Sequence, residues 1–294
     1  MKIIDIHIHG GLGVNFNTSS CEEIKNFLKE LKKRNITAIC PTLVGDETAK
    51  LRERFKLFKK IKQDLKNDEA YIIGLHLEGT FLNPQKPGIQ DTKVFMRPCI
   101  ENFKKLTEGF EDIIKIVTLA PELDENGSLS NYLEERNIRA HAGHTLGNYK
   151  GNTSATTHHF NAMPQMSHRG KNLALDCLLD SETYCEIIAD GIHTSDNMLK
   201  LFFKVKDKSK IIMISDALPA AGYNREVTFC SKKILPSGKD ENGTIAGSVM
   251  FLDEIIKSAV KRNIISLADA EKYAFLNPLQ HLNLSPCELE KIKN

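Results

Sequence analysis

The feature that most constrains this chain is a repeated alternation of short β-branched or apolar runs with longer amphipathic, charged segments. Eight such runs occur, at 3–9, 36–43, 71–78, 113–119, 138–144, 153–158, 185–190 and 210–216. Short apolar runs separated by helical patterns are the signature of βα units around a parallel sheet. Segment 21–34 puts Ile24, Phe27, Leu28 and Leu31 on one stripe, and 47–67 does the same with Leu51, Phe55, Phe58 and Ile61 amid many charges. Stripes of that kind suit helices packed outside a barrel, with the charges on their solvated face. The expected architecture is α/β, a (β/α)8 TIM-type barrel. Residues 226–246 alternate in twos about a glycine-rich turn, which predicts a small β-hairpin inserted after strand eight and before a last helix pair near 249–275.

The chain has 294 residues, 41% of them hydrophobic, and carries no low-complexity linker or internal repeat, so one domain over 1–294 is expected. Forty basic residues against 38 acidic ones leave a formal charge of +2, which gives no electrostatic reason to expect nucleic acid or an anionic membrane as partner. No apolar run approaches the ~18 residues that a membrane span needs. The first residues meet a charge and two histidines before any signal-like region could form, so a cytoplasmic location is expected. Seven scattered cysteines without a C-x-x-C pair argue against a disulfide framework and against a thiolate zinc site. A small-molecule substrate is the remaining class of partner.

Barrel enzymes build their sites at the C-terminal ends of the strands, and acids and histidines gather there. His7 and His9, two apart on strand one, share a face and can share an ion. Glu78 ends strand three, followed by a glycine that lets the backbone turn; His144 ends strand five, His158 strand six and Asp216 strand eight. Imidazoles and carboxylates converging in this way make a site for zinc, iron, manganese or a related divalent ion, with no sulfur ligand to fix the choice. Such an ion polarises a carbonyl and acidifies water, and Asp216 is the natural carboxylate for the accompanying proton transfer. Among the remaining histidines, His76 faces the same way as Glu78 and suits an orienting role. By strand alternation His141 falls on the face opposite His144 and reads as structural. Spacing alone does not choose between His158 and His159 as ligand. His168 and His281 read as surface or packing residues.

These residues stand in eight ordered tags: DIHIHGG (5–11), GLHLEGTFLNP (74–84), AGHT (142–145), THHFNAMP (157–164), ADGIH (189–193), SDA (215–217), GTIAGS (243–248) and NP (277–278). The set resembles the amidohydrolase superfamily and, within it, the N-acetylglucosamine-6-phosphate deacetylases, over almost the whole chain. The resemblance implies metal-dependent removal of an acetyl group from a phosphorylated amino sugar. It implies that Glu78, His144 and His158 hold a principal ion, and that His7 and His9, with Glu78 and Asp216, hold a second where two are present. Asp216 would take a proton from the attacking water and deliver it to the departing amine. Asn161, Ala162, Arg169 and His193 fall at substrate-binding positions, the last two near the phosphate, and a homodimer with shared sites is expected. Two departures stand out. The small β-sandwich domain usual in the family is not expected here, and Gln90 stands where the resemblance implies a histidine that polarises the acetyl carbonyl. A glutamine amide can donate a hydrogen bond there but cannot become cationic. Two other functions fit the same residues: hydrolysis of a different N-acetyl or amide substrate, and a catalytically silent barrel with a binding role.

Overall fold

The computed structural model describes residues 1–293. Eight parallel strands form the barrel: β1 (Ile3–Ile8), β2 (Ile36–Leu43), β3 (Leu75–Phe81), β4 (Ile114–Leu119), β5 (Arg139–Ala142), β6 (Ala155–Thr156), β7 (Tyr184–Ile187) and β8 (Ile211–Met213). Their order around the sheet is their order in the chain. Each overlaps one of the runs expected from the sequence. Seven helices follow in register with the strands, α1 (Cys21–Lys33), α2 (Thr48–Gln63), α3 (Ile100–Thr107), α4 (Ser128–Glu134), α5 (Leu173–Leu179), α6 (Asp196–Val205) and α7 (Leu252–Lys261). The alternation is broken once, since residues 143–154 pass from β5 to β6 without a helix.

The predicted stripes are the buried faces: Ile24, Phe27, Leu28 and Leu31 on α1, and Leu51, Phe55, Phe58 and Ile61 on α2. Helix α1 starts at a reciprocal cap in which Glu23 N–H donates to Ser20 Oγ at 3.3 Å while Glu23 Oε2 accepts from Ser20 N–H at 2.7 Å. Strand β2 is buried along its whole length, which explains its unbroken apolar run. Pro41 within it has no N–H to give, and the ladder is irregular there: Ile8 pairs with Pro41 past a register shift, and Ile8 N–H donates instead to Thr42 Oγ1 at 3.0 Å.

Two expectations are corrected at the C-terminal end. The hairpin is tighter than the glycine pattern suggests, because β9 (Val227–Phe229) and β10 (Lys232–Ile234) turn at Cys230 and Ser231, both at positive φ (51° and 59°). The glycine-rich stretch makes the following turns instead, with antiparallel bridges Ile234–Asp240 and Lys239–Ile245. The last helices also continue past 275, as α8 (Leu267–Glu271), a π-helical turn (Lys272–Leu276), α9 (Asn277–Leu282) and α10 (Pro286–Lys293). All seven cysteines are free thiols, and among the described residues no helix is long and apolar enough to cross a membrane.

The barrel closes where β8 meets β1. Backbone bonds cross the seam at its upper end, from Asp216 N–H to His7 O (2.9 Å) and from His9 N–H to Ala217 O (2.8 Å). Lower down a side chain does the work of a ladder. Asp5, fully buried, accepts from Ser215 N–H at 3.2 Å, from the Ser215 hydroxyl and from His7 N–H at 3.3 Å. Burial pushes this carboxyl up to about 7, against the pull of those hydrogen bonds. Asn277 at the start of α9 braces the β8 side of the seam, its Nδ2 donating to Lys208 O and Ile211 O at 2.8 and 2.6 Å.

Removing the Asp5 acceptor leaves buried donors on both sides of the seam unpaired. Asp5→Ala is expected to cost roughly 2–4 kcal/mol in a denaturant melt, and Asp5→Asn, which keeps one acceptor oxygen, less than half of that. Equal melts for the two variants and the parent chain would remove Asp5 from the account of closure.

Candidate active site

Closure brings the ends of β1, β3, β5, β6 and β8 to one mouth. His7 on β1 and His9 just past its end face the same side, as their spacing requires. Glu78 comes up from β3, and Gly79 beyond it adopts φ 151°, where a Cβ would lie 2.0 Å from Gly45 N and 2.2 Å from Gln90 Oε1. Only glycine permits that approach. His144, His158 and Asp216 sit just past their strands, all at left-handed φ (47°, 28° and 52°). Non-glycine residues hold such angles at a cost of order 1 kcal/mol or more each, and they cluster where surrounding structure aims a side chain.

Glu78 is the centre of the cluster. Its Oε1 lies 3.0 Å from His158 Nε2, 3.2 Å from His144 Nε2 and 3.5 Å from His7 Nε2, and its Oε2 lies 3.3 Å from His9 Nε2. Asp216 Oδ1 lies 3.2 Å from His9 Nε2 and 3.4 Å from His7 Nε2. Two triplets, Glu78 with His144 and His158, and Glu78 with His7 and His9, each place three ligand atoms close enough to share an ion. Burial opposes charge on His7, Glu78 and Asp216, yet mutual attraction outweighs it. Glu78, Asp216 and Glu186 raise His7 well above the usual imidazole range. His7, with hydrogen bonds to His144 and His158, holds Glu78 well below the usual carboxylate range. Asp216 is likewise lowered, by His7 and His9.

The donor set fits a divalent cation. His144 donates from Nδ1 to Lys86 O at 2.7 Å, so its Nε2 lone pair faces Glu78 and His158. His158 Nε2 and His144 Nε2 lie only 3.1 Å apart, a spacing that a shared cation satisfies for two lone pairs. His7 Nε2 is buried without a hydrogen-bond partner while facing two carboxylates. Nitrogen and oxygen donors without sulfur suit zinc, iron or manganese.

Above the cluster opens a cavity of about 350 Å³, lined by His9, Glu78, His144, His158 and Asp216 together with Gln90, Asn161, Ala162 and His193. Its size is that of a small-molecule site. His193 Nδ1 lies 2.7 Å from Asp190 Oδ2, and that contact raises its pKa against the effect of burial. Its Nε2 is left without a protein partner. Gln90 is not a free donor: its Nε2 gives to Glu78 O at 3.2 Å and to Glu78 Oε2 at 3.4 Å, while its Oε1 accepts from Gly45 N–H at 3.1 Å. Arg169 is exposed and does not line the cavity; its backbone N–H donates to Ser167 Oγ.

The other histidines sort themselves by contact. His76 lies beneath the site, bonded to Ile6 O and Thr118 Oγ1, with its ring 4.6 Å from that of His7. His159 turns away toward Thr156 Oγ1 and the Phe202 ring. His168 is exposed, whereas His281 is buried. His141 does not lie on the far face: it is inside the barrel, Nδ1 3.2 Å from Glu186 Oε1 and Nε2 2.8 Å from His281 Nε2. Alternation fails between 141 and 144 because β5 ends at Ala142 and His144 is left-handed. Two residues went unassigned in the sequence. Asp190 orients His193, and Glu186, buried on β7, contacts His7. A lone glutamate inside an apolar strand was the available signal for the second.

No protein-family model matches the chain. It is 32% identical over 266 residues to the N-acetylglucosamine-6-phosphate deacetylase of Bacillus subtilis (strain 168), covering 86% of this chain and 67% of that one. It is 26% identical over 294 residues to the N-acetylgalactosamine-6-phosphate deacetylase of Escherichia coli O157:H7, covering 96% and 77%. The crystal structure of N-acetylglucosamine-6-phosphate deacetylase from Thermotoga maritima superposes with a TM-score of 0.85 at 25% identity, over 96% of this chain and 78% of that one. Similarity of that extent, carried on a barrel of the same shape whose strand ends converge on one histidine–carboxylate cluster, places this chain in the N-acetylglucosamine-6-phosphate deacetylase family.

Proposed function

We propose that the protein hydrolyses N-acetylglucosamine-6-phosphate to glucosamine-6-phosphate and acetate. The observation that carries this is Asp216, a buried carboxylate lining the cavity beside two histidine–glutamate triplets that share Glu78. Glu78, His144 and His158 would hold one divalent ion, and His7 and His9 with Glu78 a second, with Asp216 alongside. Zinc, iron or manganese bound there supplies Lewis acidity toward the acetamide carbonyl and toward water.

The rest is done by the chain's own groups. Held below the usual carboxylate range by His7 and His9, Asp216 is ionised at neutral pH, so Oδ1 can accept a proton from water as it adds to the acetyl carbon. The same oxygen then returns the proton to the amine nitrogen as the C–N bond breaks, one carboxylate acting as base and then as acid. Gln90, committed to Glu78 and Gly45, steadies the glutamate rather than the carbonyl. Asn161 and Ala162 line the sugar pocket. His193 offers Nε2 to the phosphate, and Lys86 is the lysine or arginine among the lining residues. The exposure of Arg169 fits a contribution to the neighbouring site of a homodimer. All of these groups come from the barrel, so the reading needs no second domain, and it places the enzyme with its sugar phosphate in the cytoplasm.

Amine release from metal-reconstituted protein tests the chemistry. Asp216→Asn should lower kcat by about 10³-fold with KM little changed, as loss of a general acid–base requires. The unphosphorylated sugar should turn over poorly, and N-acetylgalactosamine-6-phosphate serves as the stereochemical comparison. Phosphate-independent turnover would shift the substrate to another N-acetyl compound; no turnover with metal bound would leave a binding role.

The Asp190–His193 pair makes a separate prediction. Because the carboxylate raises the His193 pKa, the imidazolium is present below that raised value and is lost as pH climbs through it. Asp190→Asn brings the loss to lower pH. KM for the phosphorylated substrate should therefore rise by about tenfold near neutrality, and the difference from wild type should shrink as the pH is lowered. A pH-independent KM ratio would count against His193 as the phosphate-reading cation.

A further inference from the structure

We propose that Glu186 is the positioning residue of the cluster, one carboxylate that orients a ligand in each triplet and governs occupancy of the His7–His9–Glu78 position in particular. The proposal rests on the two-ion reading given above.

Glu186 stands on β7, fully buried in an otherwise apolar strand. Its ion-pair partners among the described residues are two histidines, His7 and His141, with no lysine or arginine. Burying a carboxylate without a permanent cation costs several kcal/mol, and an apolar side chain would fill the position as well. Its contacts show what the charge is for. Oε2 lies 3.1 Å from His7 Nδ1 and also accepts from His158 N–H at 3.1 Å. A carboxylate acceptor at Nδ1 puts the His7 proton there and leaves the lone pair on Nε2, the atom that faces Glu78 and Asp216. The bond to His158 N–H holds a residue whose φ is 28°, and so fixes where that imidazole leaves the backbone. Oε1 lies 3.2 Å from His141 Nδ1 without a hydrogen bond between them, and His141 in turn contacts His281 across 2.8 Å. The carboxylate is thereby anchored through Oε2, with the buried His141 imidazole beside its other oxygen.

The two triplets differ in how their histidines are aimed. In the first, His144 is set by a backbone carbonyl, Lys86 O, at 2.7 Å. In the second, His9 Nδ1 has no partner, so His7 is the imidazole whose remote nitrogen is fixed, and Glu186 fixes it. Loss of the carboxylate charge should weaken the second position selectively, because His144 keeps its own acceptor.

The test is titration of the metal-free, full-length chain with cobalt(II), followed by its visible absorption, in wild type, Glu186→Gln and Glu186→Asp. Glutamine keeps the size and one acceptor oxygen, so thermal melting should change little. The expected result is two ions per wild-type chain, with one affinity in Glu186→Gln within about threefold of wild type and the other weakened about 10–100-fold, the range for loss of an outer-sphere partner. Glu186→Asp, with the charge withdrawn by one methylene, should show an intermediate loss of the same selectivity, and it carries the test alone should the glutamine variant not fold. A wild-type stoichiometry of one ion overturns the two-ion reading and this proposal together. Two ions with unchanged affinities in folded variants, or with both affinities reduced equally, overturn the proposal alone.

Discussion

The meeting of β1 and β8 is the constraint on which the site depends. Every other neighbouring pair of strands in the barrel is joined by a ladder, but this pair is joined by three backbone bonds beyond the strand ends and by the Asp5 carboxylate. His7 and His9 lie on one side of the seam and Asp216 on the other, so the 3.2 and 3.4 Å separations between them are a direct readout of how far the barrel has closed. Asp5 and His7 are two residues apart on β1, and Ser215 and Asp216 are adjacent, so the group that closes the barrel and the groups at the mouth of the cavity share a backbone.

Below the cavity the same electrostatic logic runs deeper than the cluster itself. Glu78, Glu186 and Asp216 are buried with His7, His9, His76, His141, His144, His158 and His281 around them. Isolated carboxylates at such depth would take up protons; here each is instead opposed by imidazoles. Burial together with the neighbouring charge of His7 pushes His76 well below the ordinary imidazole range, and burial with His141 does the same to His281. These two stay neutral and act as hydrogen-bonding spacers while charge concentrates at His7 and the carboxylates above them.

Much of this was legible in the sequence, for identifiable reasons. The stripe on α2 survives a highly charged segment because burial depends on spacing, and Leu51, Phe55, Phe58 and Ile61 keep it. His7 and His9 could be placed on one face because their two-residue spacing survives the register shift between Asp5 and Ile8, both reaching Asp216 Oδ1. Periodic reasoning failed wherever the backbone stopped being periodic. His141 was put on the wrong face because the chain leaves the strand between it and His144. The hairpin turn was assigned to glycines, although Cys230 and Ser231 adopt the left-handed angles themselves. Glu186 was passed over because its partners are 28, 45 and 179 residues away in the chain, and no local pattern marks so distant a contact. The exposure of Arg169 follows from the loop that carries it, which sequence spacing does not describe.

Gln90 shows how a departure from the family pattern can be consistent with what surrounds it. Its amide reaches Glu78 Oε2 at 3.4 Å, on the side of the glutamate that faces His9 at 3.3 Å. An imidazole there would be a further group able to carry positive charge, close to the point where His7, His9 and Glu78 converge. Like charges so close disfavour one another, and the same holds between an imidazolium and a divalent ion. A neutral amide avoids that conflict while its two ends bind Glu78 and the Gly45 backbone. Retention of the histidine pair on β1 and glutamine at position 90 therefore fit together: where His7 and His9 can hold a cation beside Glu78, a second cationic group at position 90 would compete with it.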